Sequence, residues 1–250
     1  MDTHQTYTTK AEKYAKYRWD YAPAAVAAIF ASAQLSEDAL VADIGAGTGI
    51  LTHHFIGRVR QVYAIEPNAS MRREAARGLP PGSGCTVLAG SAEQAPLRTS
   101  SVDLITVAQA IHWCSPEPTR REFRRILRPG GWLALLRNFP TETVFGDALA
   151  QVCTAENGVS EAAGSPPEFK RPADFYFGGP HYQKLVFPFT YQQDWASYIG
   201  SLCSASYMPD EDHPAYPRFE KAVRGVFEQF SQNGLLPGCG ATELLIGQVC

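Results

Sequence analysis

The stretch from Val41 to Thr52, VADIGAGTGILT, limits what this chain can fold into more than any other. An apolar run ends in Asp43 and passes straight into glycines at 45, 47 and 49. Glycine has no Cβ, so three in alternation let the backbone take left-handed dihedrals and bring bare amides against a flat ligand. The apolar residues Ile50, Leu51 and Phe55 that follow are spaced for a helix over 49–57, whose N-terminus would face the same ligand. Strand, glycine loop and helix in this order are the opening unit of a parallel α/β sheet with a cofactor at its edge.

Spacing narrows the ligand. A dinucleotide fingerprint is G-x-G-x-x-G, and counting from Gly45 gives Gly47 but then Ile50 in the third place. The pattern is instead D-x-G-x-G-x-G, with a carboxylate two residues before the first glycine, which repels a pyrophosphate and favours a positively charged ligand. A second apolar run, QVYAIEPN, ends in Glu66 roughly 20 residues on, the distance at which an acid reaches a ribose diol. S-adenosylmethionine combines an amino group, a sulfonium and a ribose, so two carboxylates around a glycine loop suit it. Ala46 and Thr48 in the loop, and Pro67 after Glu66, join the candidate cofactor contacts.

With these residues in place the chain resembles the class I S-adenosylmethionine-dependent methyltransferases. GSAEQAPL (90–97), SVDLITVAQAIHWC (101–114) and RRILRPGGWLALL (124–136) follow in the family's order. The A-Q-A-x-H-W run is similar to the branch that includes trans-aconitate methyltransferase and many small-molecule methyltransferases of natural-product pathways. The resemblance extends from about residue 14 to 137. It implies an α/β fold: a doubly wound, Rossmann-like sheet of seven strands, mostly parallel with the last strand antiparallel, under a helical cap. It also implies S-adenosylmethionine as cofactor and S-adenosylhomocysteine as product.

Residue roles carry over position by position. Ser91, Ala92 and Glu93 would meet the adenine edge; their plain alternative is a surface turn. Ala108, Gln109, His112 and Trp113 would lie beside the sulfonium and the acceptor, where His112 either takes a proton from the acceptor or orients it. Met71 touches the adenine or is simply core. Near the N-terminus the family pattern Y-x-x-x-R-P-x-Y is kept at Tyr14, Arg18 and Tyr21, with Trp19 in place of proline. Arg18 would then pair with the cofactor carboxylate, although the same spacing also makes an amphipathic docking helix. Tyr17, Trp113, Phe139 and Tyr207 are the expected substrate contacts. Tyr207 and His181 stand behind His112 as bases should the acceptor be a hydroxyl, phenol or protonated amine.

Alternation of short apolar runs with helical spacing sets the organisation. A helix over 22–35, with Pro23 near its start, precedes strands at 40–44 and 61–66. Asn68 caps a helix through 78, and strands follow at 86–88, 102–107 and 132–137, the last entered through a Pro129-Gly130-Gly131 turn. Residues 1–137 read as a cofactor-binding core with an N-terminal lid helix, 138–183 as a cap insert for the acceptor, and 184–250 as sheet-completing strands, at 184–189 and 241–249. Helices over 194–204 and 218–230 lie between those strands. Phe123, Ile126 and Leu127 mark one face of TRREFRRILR as buried and leave its arginines solvated.

Composition excludes several classes. At 45% hydrophobic and 19% charged, 250 residues bury a full core. A net charge of -3 lacks the basic footprint of a nucleic-acid binder. Six cysteines without CxxC or zinc-like spacing, and no secretory pattern at the start, place the chain in a reducing cytoplasm. His53 and His54 are adjacent rather than four apart, so no metal site is expected. The longest apolar run, 22–33, is short of the ~20 residues that span a bilayer.

The expected partner is a small-molecule acceptor, without nucleic acid or membrane, and the protein is expected as monomer or homodimer. Beyond residue 138 aromatic rings are frequent, among them Phe145, Phe169, Tyr176, Phe177, Trp195 and Tyr198, whereas Lys170, Arg171 and Lys184 are the chief cations. That balance suits a largely apolar or aromatic acceptor methylated on oxygen or nitrogen, with some of the rings serving as core. Carbon or carboxyl methylation, an NAD(P)-dependent oxidoreductase and a non-catalytic cofactor-binding module are the alternatives.

Overall fold

The computed structural model describes residues 3–80, 82–141, 144–152, 170–205, 208–209 and 211–249. Helices α1 (Thr3–Tyr17) and α2 (Pro23–Ser32) lead into β1 (Leu40–Ile44), β2 (Gln61–Ile65), α3 (Ala69–Gly78), β3 (Cys85–Leu88), β4 (Val102–Ala108), α4 (Pro116–Ile126) and β5 (Leu127–Pro140). They are followed by α5 (Val144–Val152), α6 (Ala173–Phe177), β6 (Gln183–Gln193), α7 (Trp195–Cys203), α8 (Tyr216–Phe230) and β7 (Leu236–Gln248).

The seven strands form one sheet in the order β3-β2-β1-β4-β5-β7-β6. Strand β1 pairs in parallel with β2 and β4, β2 with β3, and β4 with β5. Strand β7 is the reversed one. Arg137 of β5 meets Glu243, while Val249, just past β7, donates its amide to Gly131 O at the other end of β5. Against β6, the missing side chains of Gly238, Gly240 and Gly247 leave room for Tyr191, Phe189 and Tyr182 respectively. Numbers rise along one strand as they fall along its neighbour in both series, as antiparallel pairing requires.

Two compact units divide the chain. One, the glycine-loop unit, holds residues 20–138 and the described parts of 167–187 and 242–250; the other, the α7–α8 unit, holds the described parts of 1–19, 139–166 and 188–241. In the glycine-loop unit both faces of the sheet are apolar. Ala42, Ile44, Ile105, Val107, Leu133 and Leu135 pack with Phe123 and Ile126 of α4 on one face. Val41, Val62, Leu104 and Leu136 pack with Val26 and Ile29 of α2 and with Phe55 on the other. Alternate residues point to opposite faces, so a strand covered on both sides must be apolar at nearly every position. That is why these strands stand out in the sequence as unbroken apolar runs.

The α7–α8 unit has its own core of Phe145, Tyr198, Phe219, Val223, Phe227 and Leu236. Four residues of α8, Phe219, Val223, Val226 and Phe227, recur at helical spacing on its buried face. Helix α1 packs on α7, where Gly200 leaves the space that the Tyr17 ring occupies. The Lys10 ammonium is buried and donates to the carbonyls of Ala205 (2.8 Å) and Met208 (2.6 Å), just beyond the end of α7.

Several expectations are corrected. The helix foreseen over 49–57 is a run of turns with a single 3-10 turn, Thr52–His54. Gly49 and Gly57 at its two ends take φ of +87° and +72°, outside the right-handed helical region, and most of its bonds close onto the residue three back. Strand β5 begins at Leu127, not 132; its pairing with β4 shifts between Val102 and Leu104, which absorbs the Pro-Gly-Gly segment as an irregularity.

The arginines of α4 are not all solvated. Arg125 is half-buried and donates to the carbonyls of Leu97 (2.9 Å) and Ala95 (3.1 Å) while pairing with Glu122, and Arg120 lies over the Phe175 ring at 5.1 Å. Of the aromatic rings beyond residue 138, Tyr176, Phe177 and Tyr198 belong to the core. Phe169 lies outside the described residues.

Helix α3 starts as expected, with the Asn68 side chain accepting from the amides of Ser70 (2.9 Å) and Met71 (3.0 Å). Replacing Asn68 with alanine leaves both donors without that acceptor, and the expected loss is about 0.5–2 kcal/mol of stability. Urea unfolding of the two proteins measures it; an unchanged midpoint would show that the cap contributes nothing.

Candidate active site

The site begins where β1 ends. Asp43 pairs in register with Ala64 of β2 and Thr106 of β4 and is 1% exposed. Its Oδ1 accepts from the Thr106 hydroxyl (2.8 Å) and its Oδ2 from that of Thr52 (2.6 Å). Burial pushes the carboxyl pKa up, and the two hydroxyls oppose the rise without cancelling it. Both oxygens hold protein hydroxyls, and Asp43 ties the two ends of the loop to the sheet.

Above it the glycines do what their pattern requires. Gly45, Gly47 and Gly49 have φ of +68°, +58° and +87°, a region that side-chain-bearing residues enter only with strain. A Cβ on Gly45 would come within 2.6 Å of Ala110 Cβ, whereas one on Gly47 would meet nothing within 4 Å. Gly45 and Ala46 donate their amides to Ile65 O (2.8 and 3.1 Å), which fixes the loop to the end of β2.

Glu66 follows immediately and is 8% exposed. Its Oε2 accepts from Gly47 N (3.0 Å) and its Oε1 from Asn68 N (2.8 Å). Arg72 reaches back from α3 to the carbonyls of Glu66 and Pro67 (2.8 and 2.7 Å). Met71 lies on the buried face of α3 with Ser70 and Ala75. Beside these groups, the Thr48 hydroxyl is buried with no hydrogen-bond partner among the described residues. An orphaned hydroxyl, an open space over Gly47 and a carboxylate at the strand end are what a ribose-bearing ligand would complete.

Two further turns complete this side. After β3, Glu93 N donates to Ser91 Oγ (3.3 Å), Ala92 is buried, and Glu93 Oε1 accepts from Ser115 N (2.7 Å). Burial raises the Glu93 pKa, but the Ser115 and Ser91 hydrogen bonds outweigh it and the carboxyl ends below its usual value.

After β4, Gln109 turns the chain with φ of +55°, and its side chain donates to Asn138 O (3.0 Å). The half-exposed Ala108 ends that strand. Asn138 in turn accepts from the Thr242 hydroxyl (2.6 Å) and donates to Asp20 O (3.0 Å).

His112 sits on the following 3-10 turn, Ile111–Trp113, with its ring 4.9 Å from that of Trp113. Burial and then the nearby Lys170 cation lower its pKa from 6.5 to about 4. Lys170 donates to the carbonyls of Trp113 and Cys114 (3.1 Å each), so the cation is anchored on the turn it influences.

The remaining expected residues belong to the α7–α8 unit. Tyr14 and Tyr17 are on α1, and Arg18 follows it with its guanidinium 5.0 Å from the Tyr14 ring centre. The Arg18 Nε is buried without a hydrogen-bond partner among the described residues. Phe139 is near the end of β5, and Tyr207 lies outside the described residues. Sequence reasoning missed Thr52, Thr106 and Asn138. The available signal was Thr106 itself, a hydroxyl in the middle of the apolar strand VDLITVA.

This fold, with its glycine loop and two strand-end carboxylates, is consistent with a class I S-adenosylmethionine-dependent methyltransferase domain over residues 42–135. Residues 42–135 match the family described as Methyltransferase domain. Over 98 residues the chain is 43% identical to an uncharacterized methyltransferase of Mycobacterium tuberculosis, covering 39% of each protein. Over 141 residues it is 30% identical to one of Schizosaccharomyces pombe, covering 56% of this chain and 55% of that protein. The matches thus span about two fifths to about half of these curated relatives' length.

Among solved structures, one assigned as a type II methyltransferase from Anaeromyxobacter dehalogenans superposes with a TM-score of 0.62 at 18% identity, covering 93% of this chain and 98% of that one. The YcgJ protein of Bacillus subtilis gives 0.55 at 18%, covering 89% and 97%. At that identity the likeness is one of fold.

The lowered His112 pKa has a defined consequence. The unfolded chain takes up this proton near pH 6.5 and the folded one only near 4. The contribution to stability is therefore complete above pH 6.5 and lost as the pH falls toward 4. Following the His112 ring resonance by NMR should give a midpoint close to 4; a midpoint near 6.5 would contradict the burial argument.

Proposed function

We propose that the protein is an S-adenosylmethionine-dependent methyltransferase that methylates oxygen or nitrogen of a small, largely apolar or aromatic metabolite, as in natural-product biosynthesis. The observation that carries this reading is the cradle over Gly47. It is closed beneath by Asp43 and flanked by Glu66, and the Thr48 hydroxyl beside it has no protein partner among the described residues. Bound S-adenosylmethionine supplies a methyl on a sulfonium, already activated for transfer.

The chain's own residues then bind, orient and exclude water, which effective-molarity arguments make worth ~7–11 kcal/mol. Glu66 would take the ribose hydroxyls with the remaining acceptor capacity of its carboxylate. Ser91, Ala92, Glu93 and Met71 would border the adenine, and Ala108, Gln109 and Trp113 the reacting end.

His112 acts by orientation on this reading. With its pKa at about 4 the ring is neutral at physiological pH. It is too weak a base to remove a proton from an alcohol, but it can accept a hydrogen bond from the acceptor's O–H or N–H and hold the lone pair toward the methyl. The proton then leaves to solvent. The net charge of -3 and the lack, among the described residues, of a helix long and apolar enough to cross a membrane are consistent with a metabolite acceptor in the cytoplasm.

Calorimetry with S-adenosylhomocysteine and with NAD separates this reading from an oxidoreductase: the first should bind and the second should not. Gly47→Val should weaken S-adenosylhomocysteine at least about tenfold, or 1.4 kcal/mol, while the fold survives. Unchanged affinity would remove the cradle from cofactor binding. Methyl transfer is detected by mass spectrometry of a metabolite pool incubated with isotopically labelled cofactor, and its absence for every candidate would favour a non-catalytic module.

With an acceptor in hand, His112→Ala should slow turnover by about tenfold, the contribution of one hydrogen bond, and kcat should be flat from pH 6 to 8. A loss of a hundredfold or more with a pH-dependent kcat would make His112 the base after all.

A further inference from the structure

The α7–α8 unit contains a cavity of about 520 Å³ where β6 ends, β7 begins and α5 starts, and the cofactor cradle uses none of its residues. Its size falls within the ~300–1,000 Å³ of small-molecule sites. In open α/β sheets ligands gather at the carboxyl ends of the parallel strands, and Thr190–Gln192 form that end of β6.

We infer that this cavity binds an uncharged, aromatic-sized organic molecule. The first reason is the chemistry of the wall. Phe145, Tyr191 and Phe230 contribute rings, and Thr190, Gln192 and Cys239 contribute a hydroxyl, an amide and a thiol. None of the lining side chains is charged among the described residues. A carboxylate or phosphate placed there loses its hydration with no cation to replace it, whereas a flat apolar body gains contact area and its polar substituents find neutral partners.

The second reason is that part of the wall is held in place. The Tyr191 ring occupies the space that a side chain on Gly238 would need. On another side it lies 4.5 Å from the Trp19 ring. Phe145 is buried and stands edge-on to Tyr198, with ring centres 6.4 Å apart. Rings fixed by their neighbours keep the cavity open at little cost in ordering when a ligand enters.

A pair of probes differing by a single charge tests this. N-phenyl-1-naphthylamine is neutral, and 1-anilinonaphthalene-8-sulfonate carries the same rings with a sulfonate. By fluorescence titration of the full chain, the neutral probe should bind at least about tenfold more tightly than the sulfonate. It should also protect Cys239 from iodoacetamide, as read by peptide mass spectrometry. Thr190→Trp, at an exposed position, should weaken the neutral probe about tenfold and leave S-adenosylhomocysteine affinity unchanged. Gln192→Arg, also exposed, should draw in the sulfonate and erase the preference.

Equal binding of the two probes, unprotected Cys239, or indifference to both substitutions would each overturn the assignment. Failure of S-adenosylhomocysteine to bind at all overturns the methyltransferase reading instead, and leaves the neutral-probe result standing.

Discussion

The candidate site depends on one buried carboxylate. Asp43 holds Thr106 of the neighbouring strand and Thr52 at the far side of the glycine loop, so the loop is fastened at both ends to the centre of the sheet. Burial raises its pKa, which means the ionised form is less favourable folded than unfolded. Stability from this group is therefore complete below the unfolded value and declines as the pH rises through the folded one. A buried carboxyl whose ionisation works against folding, yet which sits at the centre of the loop, indicates that loop geometry, rather than stability, is what it serves.

Glu66 extends the same logic outward. It bridges Gly47 and Asn68, so the second carboxylate links the loop to the start of α3. Both acids are thus part of the framework before any ligand arrives. A site whose polar groups are already aimed needs little reorganisation when charge develops in it, which is the physical basis of electrostatic preorganisation. Beyond β4, Lys170 does similar work on the turn of His112 by fastening two carbonyls there. The result is a histidine kept neutral by its surroundings, which changes its part in the proposed chemistry from proton removal to orientation.

The α7–α8 unit answers to different constraints. Its core comes from the helical stripe of α8 together with Phe145, Tyr198 and Leu236, and α1 is held on α7 by the buried Lys10 and by a ring set against Gly200. Aromatic abundance in this part of the sequence therefore divides between rings that make the core and rings that line a cavity. Sequence pattern alone does not separate the two, because both uses demand the same residue types.

What the sequence by itself determined is the local grammar. Strand β1 was legible to the residue because an apolar run terminated by glycines has few other ways to fold, and Asn68 announced its helix through a side chain that competes for the amides two and three residues on. The three positive-φ glycines were legible for the same reason: each is dictated by its immediate neighbours. Tertiary structure alone decided the partners of Asp43, since Thr52 and Thr106 lie nine and sixty-three residues away and meet it only through strand pairing and the return of the loop. It also decided that residues 49–57 stay short of an α-helix, that Arg125 is half-buried, and that His112 is neutral. Hydrogen bonding at a distance and loss of water depend on what the fold places nearby, and no spacing of residues along the chain encodes that.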